Sequence, residues 1–158
     1  MPAGAAPRAD VSGAALKNPA ELPARLDLVR PGRVLIVDAP AAFSDLLAAA
    51  RGKEFVTESV GEEDLGSIKE TFDAVLLWRE NRVGSRSAMD AALRRLSPGG
   101  VFWAVIAMKK VRGPETPAAH RLELPDLARG LEKNGMANDK EVRVTSWHAA
   151  YRFAAYST

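Results

Sequence analysis

Residues Arg33 to Phe43 read R-V-L-I-V-D-A-P-A-A-F: an apolar run, an acid, a proline and the start of an alanine-rich stretch. Four consecutive apolar residues, Val34 to Val37, predict a strand covered on both faces, as in a parallel sheet. Pro40 suits the first turn of a helix, where its missing N–H costs no hydrogen bond. Ala41 to Ala50 then predicts a helix with Phe43, Leu46 and Leu47 on one face, closed by the cation Arg51 and a C-cap glycine, Gly52. A strand that delivers its chain directly to a helix N-terminus is where many α/β proteins hold an anionic ligand. This turn contains no glycine, so no residue in it can bring bare backbone against a ligand.

Downstream, the pattern repeats. Phe55 to Ser59 predicts a second, shorter strand, and the acidic stretch from Val60 to Thr71 has room for only about two helical turns around Glu62 to Lys69. Phe72 to Trp78 and Val101 to Ala107 are apolar throughout and predict buried strands. Between them, Ser87-Ala88-Met89-Asp90 resembles a capping box, Met89, Ala92, Leu93 and Leu96 form a helical stripe, and Ser97-Pro98-Gly99-Gly100 stops the helix. Leu124, Leu127, Ala128 and Leu131 mark a final helix ending at Lys133-Asn134-Gly135. Glu141 to Trp147 and Ala150 to Tyr156 alternate in polarity and predict an antiparallel hairpin.

Upstream, residues 1–17 are rich in Ala, Gly and Pro without periodicity and predict a flexible tail. Asn18-Pro19-Ala20-Glu21 has the order of a helix start, Pro23 disturbs it, and a short helix is expected around Ala24 to Val29, ended by Arg30-Pro31-Gly32. The remaining chain, 18–158, is long enough for one domain and too short for two. Hydrophobic residues make up 47% and charged residues 27%, as in an ordinary globular protein. With no cysteine and two histidines, disulfides, thiolate catalysis and Cys-ligated zinc are excluded, and no metal is expected. No membrane-length apolar run or signal-peptide pattern occurs, so the expectation is cytoplasmic. The 22 cations and 20 anions are close to balance, so net charge gives no strong argument for nucleic acid.

Three stretches together resemble the class I S-adenosylmethionine-dependent methyltransferase fold: Arg33 to Phe43, the F-D-x-V strand at Phe72 to Trp78, and the L-x-P-G-G turn within Leu93 to Val101. The resemblance implies a three-layer, Rossmann-like α/β sheet, mostly parallel with an antiparallel C-terminal hairpin. Because the link from Ser59 to Phe72 is short, the third strand of that fold is expected to be missing. In the family the first strand continues into a D-x-G-x-G-x-G turn that approaches the cofactor; here those positions hold Ile36, Asp38, Pro40 and Ala42. The chain is also similar to a group of small uncharacterised bacterial proteins that keep the P-G-G turn and a W-x-x-x-x-[RK]-F ending, here Trp147 to Phe153.

The resemblance places any cofactor contacts at Asp38, Ala39, Pro40 and Trp78, with Glu58, 20 residues beyond Asp38, in the position of an acid on the ribose hydroxyls. The cations Arg79, Arg82, Lys109, Lys110 and Arg112 fall at the strand ends and predict contact with an anionic ligand or a nucleic-acid backbone, for which Trp78 offers a stacking face. Glu80 could act as a base but lies in a loop without a recognisable acceptor motif, and no nucleophile sits on an elbow, so no catalytic residue is assigned. The expectation is a methyltransferase-like domain without catalysis or cofactor, acting on a protein or anionic partner. A methyltransferase binding S-adenosylmethionine in an altered pocket and a nucleic-acid-binding module are the alternatives. Dimerisation through the C-terminal hairpin is left open.

Overall fold

In a computed structural model, residues 10–11, 14–30 and 32–155 are described. The strands are β1 (Asp10–Val11), β2 (Ala14–Ala15), β3 (Arg33–Val37), β4 (Val56–Val60), β5 (Phe72–Trp78), β6 (Leu96–Ala107), β7 (Met136–Arg143) and β8 (His148–Ala155). The helices are α1 (Leu22–Arg25), α2 (Ala41–Arg51), α3 (Ser85–Leu93) and α4 (Leu124–Glu132). Six strands form one sheet in the order β4-β3-β5-β6-β8-β7, and β1 and β2 form a separate two-stranded ribbon. The first four strands of the sheet are parallel, while β8 is antiparallel to both β6 and β7.

The apolar run of β3 is explained by this arrangement. Val34 and Ile36 face one hydrophobic layer with Phe43 and Leu47 of α2, while Leu35 and Val37 face the other with Met89 of α3 and Leu127 of α4. All four β3 side chains are fully buried, each contributing about 1.5–3 kcal/mol relative to exposure. Among the described residues β4 is an edge of the sheet, with no third strand of that fold beyond it. A short 3-10 segment, Glu62–Ser67, takes the chain from β4 across to β5.

A single cation pins the start of this architecture. Arg51, in the last turn of α2, is buried, and its guanidinium donates to Leu28 O (2.9 Å), Gly32 O (3.1 Å), Val56 O (3.0 Å) and Thr57 Oγ1 (2.6 Å). It thereby ties α2 to the approach of β3 and the beginning of β4. Burial lowers its pKa, and Asp73 acts in the opposite direction. The C-terminal end of α2 carries the negative pole of its dipole, which favours a cation there.

Several boundaries differ from the sequence expectations. The end of the expected tail is held to the body: Leu16 is 6% exposed and bridged to Thr145, and Lys17 N–H donates to Val144 O at 2.8 Å. Residues 1–9, 12 and 13 of that tail, Pro31 of the expected helix stop, and Tyr156 lie outside the described residues. The first helix ends at Arg25 instead of continuing to Val29, because Asp27 turns into the left-handed region at φ 54°. α3 begins two residues before Ser87, behind Gly84, so the expected capping box lies inside the helix. The hairpin strands are shifted toward the N-terminus: the first runs from Met136 to Arg143 instead of Glu141 to Trp147, since Met136 and Lys140 pair with Ala155 and Arg152, and the second starts at His148, which pairs with Ala107 of β6.

The P-G-G residues lie inside β6 rather than ending a helix: α3 stops at Leu93, Leu96 already pairs with Phe72, and the ladder resumes at Val101 opposite Ala74 after an irregularity that the glycines permit. Gly99 adopts φ 81°, and a Cβ on Gly100 would stand 2.8 Å from the Asp73 carbonyl oxygen. Gly100→Ala should therefore push β6 away from β5 and cost about 1–3 kcal/mol, read as a lowered denaturation midpoint in urea. An unchanged midpoint would show that the turn relaxes freely.

Candidate functional site

The carboxyl ends of β3, β4 and β5 form one rim, and the turn after β3 is its centre. Asp38 occupies the position of the family's first glycine and keeps a glycine-like conformation at φ 60°. Asp visits this region more readily than most residues because its short side chain bonds nearby backbone. Here its carboxylate accepts the Glu62 N–H at 3.1 Å. Pro40 caps α2 in an extended conformation and offers no N–H, while Ala42 packs toward the core.

From Asp38 a chain of polar contacts crosses the rim. Glu62 Oε1 receives the Arg79 guanidinium at 2.9 Å. Arg79 also donates to Asn81 O at 3.0 Å and to Val83 O. The group expected to be a free anion ligand is thus used to hold the loop after β5 against the crossover. Arg82 is similarly engaged, donating from its side chain to Ala119 O at 2.9 Å. Lys109 is 70% exposed along its side chain with only a 3.9 Å approach to Glu123, and Lys110 and Arg112 are exposed. The basic rim therefore contracts to one loop, because loop carbonyls take up the arginines.

Two clefts open at this rim. One, of about 550 Å³, lies between the start of α2 and the end of β4 and is lined by Asp38, Ala39, Asp45, Ser59, Gly61 and Asp64, among others. The second, of about 330 Å³, is lined by Asp38, Trp78, Glu80 and Glu115. Asp38 is the one residue shared by both linings, so it marks the boundary between them. No lining residue of either cleft is a cation. Asp38 has its pKa raised, first by burial and then by the charges of Glu62 and Glu63, against the Glu62 N–H and Arg79. The residue is nonetheless exposed over much of its surface, so solvent screens part of that effect.

Glu58 lies outside both linings. It pairs in register with Leu35 in mid-strand, and Ser59 and Val60 are the β4 residues that line the cleft. Counting residues from Asp38 cannot tell which face of a strand a side chain takes. Trp78 is placed at the rim as expected but is only 5% exposed, packed edge-on against Phe43 at 5.4 Å and tilted over His148 at 5.0 Å.

His148 is the component that sequence reasoning missed. It is fully buried at the start of β8, with Nε2 2.6 Å from Glu80 Oε2 and Nδ1 2.8 Å from Thr145 Oγ1. Thr145 Oγ1 already accepts the N–H groups of Trp147 and His148, both at 2.9 Å, so its own proton goes to Nδ1. The ring proton is then on Nε2 and is donated to Glu80. His148, Thr116 and their hydrogen bonds hold the Glu80 pKa low, against the opposing effect of burial. This favours a permanent carboxylate over a proton acceptor. Thr145 is fully buried with its oxygen engaged, so the series cannot work as a nucleophile, base and acid. The pair is 68 residues apart in sequence, and no local motif announces it.

The remaining sequence candidates have structural roles. Trp147 packs on Gly113, where a Cβ would clash with the ring, and Phe153 is fully buried. Arg152 bonds Asp139 at 2.8 Å and Asp27 at 3.2 Å, joining the hairpin to the turn after α1. Among the described residues no group of three or more His, Cys, Asp or Glu is arranged to hold a metal ion, and no helix is long and apolar enough to cross a membrane.

No protein-family model matches the chain, and no curated protein matches it in sequence. Among solved structures it is similar to a SAM-dependent methyltransferase from Aquifex aeolicus, with TM-score 0.67 and 14% identity over 88% of this chain and 90% of that one. It is also similar to NcsB1, an O-methyltransferase from neocarzinostatin biosynthesis solved with S-adenosyl-L-homocysteine, with TM-score 0.65 and 10% identity over 87% of this chain and 53% of that one. An O-methyltransferase family protein from Burkholderia thailandensis gives TM-score 0.58 and 13% identity over 87% and 57%. The chain thus spans nearly all of the Aquifex protein but little more than half of the other two. The class I methyltransferase-like fold is shown.

If Glu80 is held ionised by His148, its stabilising effect is complete above the ordinary Glu value of 4.5 and is lost as pH falls through its depressed folded value. Glu80→Gln should remove that dependence and flatten the acid side of a melting-temperature profile. Wild-type and variant profiles that stay parallel into the acid range would contradict the assignment.

Proposed function

We propose that the chain is a methyltransferase-like interaction domain that does not transfer methyl groups. The observation that carries this reading is Asp38, which lines both clefts and whose carboxylate is bonded to the crossover. A ligand laid over the β3–α2 turn in the family's manner would pass from one cleft to the other at this residue. Here it meets an anionic side chain bonded to the crossover, with Pro40 supplying no N–H nearby. Glu58 does not line either cleft, so the ribose contact inferred from spacing has no support. The residues present do not fit S-adenosylmethionine in the mode that the resemblance implies. The polar groups of the rim are satisfied by one another, which is the arrangement of a scaffold.

The alternative, a methyltransferase with an altered pocket, draws on the open 550 Å³ cleft and the left-handed Asp38 turn. The two readings separate in a calorimetric titration with S-adenosylhomocysteine. The wild type should show no tight binding, and Asp38→Gly, which keeps the conformation and removes the carboxylate, should bind more tightly than wild type. Tight one-to-one wild-type binding would overturn the interaction-domain reading.

Contact with an anionic partner, nucleic acid included, narrows to Lys109, Lys110 and Arg112, since acids line the clefts and would repel one. Any such binding to a single-stranded oligonucleotide should weaken steeply with salt and fall on replacing Lys109 and Lys110 by Ala. Arg79→Ala should act mainly on stability. Binding indifferent to salt and to both lysines would remove this contact from the proposal.

A further inference from the structure

The short crossover leaves one boundary of the sheet uncovered. Among the described residues β4 pairs only with β3, and nothing pairs with its outer side. Val60 O is turned inward, accepting the Asp38 N–H at 2.9 Å. Backbone direction alternates along a strand, so the N–H and C=O groups of Thr57 and Ser59 point outward. Beside this edge runs the solvent flank of α2, where Ala41, Asp45, Ala48, Ala49 and Gly52 are all exposed. The 550 Å³ cleft and a groove of about 480 Å³ lined by Ala48, Ala49, Gly52, Lys53, Phe55 and Thr57 follow one another between that flank and the edge.

We propose that this edge is the contact surface between two copies of the chain. They would pair β4 with β4 antiparallel about a two-fold axis normal to the sheet, and bring the two α2 helices side by side on one face. Three features favour a second copy over a foreign strand. First, α2 packs on β3 through Phe43 and Leu47 and reaches β4 through Arg51, so it lies over the gap between those strands. It is then one strand spacing from the axis, and two such helices stand about 9.6 Å apart, within the range at which helices pack.

Second, the charges are self-complementary along the groove. Asp45 lies in the first half of α2 and Lys53 just beyond its end, so an antiparallel copy sets Lys53 of one chain toward Asp45 of the other. The small residues between them permit the approach. Third, one register resolves the edge's two awkward residues. Placing Thr57 on the axis sets Glu58 opposite Val56 of the other copy, avoiding a Glu58–Glu58 encounter. Val56 is 40% exposed, one of two large hydrophobic side chains so exposed among the described residues, and this register covers it with the methylenes of Glu58.

Light scattering in line with size exclusion tests the assembly on the full chain. The wild type should give twice the 17.0 kDa chain mass. Ala48→Glu, at an exposed helix position, should give the chain mass with unchanged far-ultraviolet circular dichroism. Asp45→Lys should shift the equilibrium toward the single chain, and adding Lys53→Asp should restore the doubled mass. A wild type at chain mass up to millimolar concentration would assign the groove to another occupant. A doubled mass untouched by Ala48→Glu would place the contact elsewhere, such as the β7–β8 hairpin. Either result, or failure of the charge swap to restore association, overturns the proposal.

Discussion

The left-handed turn at Asp38 is the constraint on which the rim depends. A strand must become a helix within three residues, and the first of these takes a backbone conformation that most side chains resist. Aspartate meets the requirement by bonding the Glu62 N–H, and the consequence spreads outward. Glu62 is held where its carboxylate meets Arg79, and Arg79 fixes the carbonyls of Asn81 and Val83. Three strand ends are thereby linked through three side chains, Asp38, Glu62 and Arg79. A glycine would give the backbone freedom without the linkage, leaving those groups available to something else.

A second polar series closes the other half of the rim. Thr145, His148 and Glu80 join the start of β8 to the loop after β5, and Leu122 N–H donates to Glu80 O at 2.8 Å to bring in the segment before α4. Buried polar groups are tolerated here because each donor has an acceptor. With Arg51 at the opposite end of α2, the sheet is held by hydrogen-bonded side chains at both ends and by apolar layers between.

The sequence was informative wherever burial on two faces leaves an apolar run. β3, β5 and the buried half of β6 were placed to within a residue or two, and the short link after β4 correctly announced a missing strand. Legibility fell where the partner is distant or is backbone. Glu58 falls outside both cleft linings, a placement that spacing from Asp38 carries no information about. Arg79 and Arg82 looked free because acceptor carbonyls have no sequence signature. His148 looked like part of a tight connection because Glu80 lies 68 residues away. The start of β7 was missed because Asn138 and Lys140 mask a strand whose order comes from pairing with β8.

The brevity of the β4–β5 crossover also bears on how the chain gathers itself. Only eleven residues separate Val60 from Phe72, although the strands they join lie on opposite sides of β3. Loop-closure entropy grows with the logarithm of length, each doubling adding about 0.6 kcal/mol, so this connection brings its ends together at little expense. β6 and β8 are neighbours in the sheet but are separated in sequence by α4 and β7. The topology thus divides the sheet into a sequence-local half, β4-β3-β5-β6, and a half whose closure waits on distant chain, with Trp78 and His148 meeting at the seam.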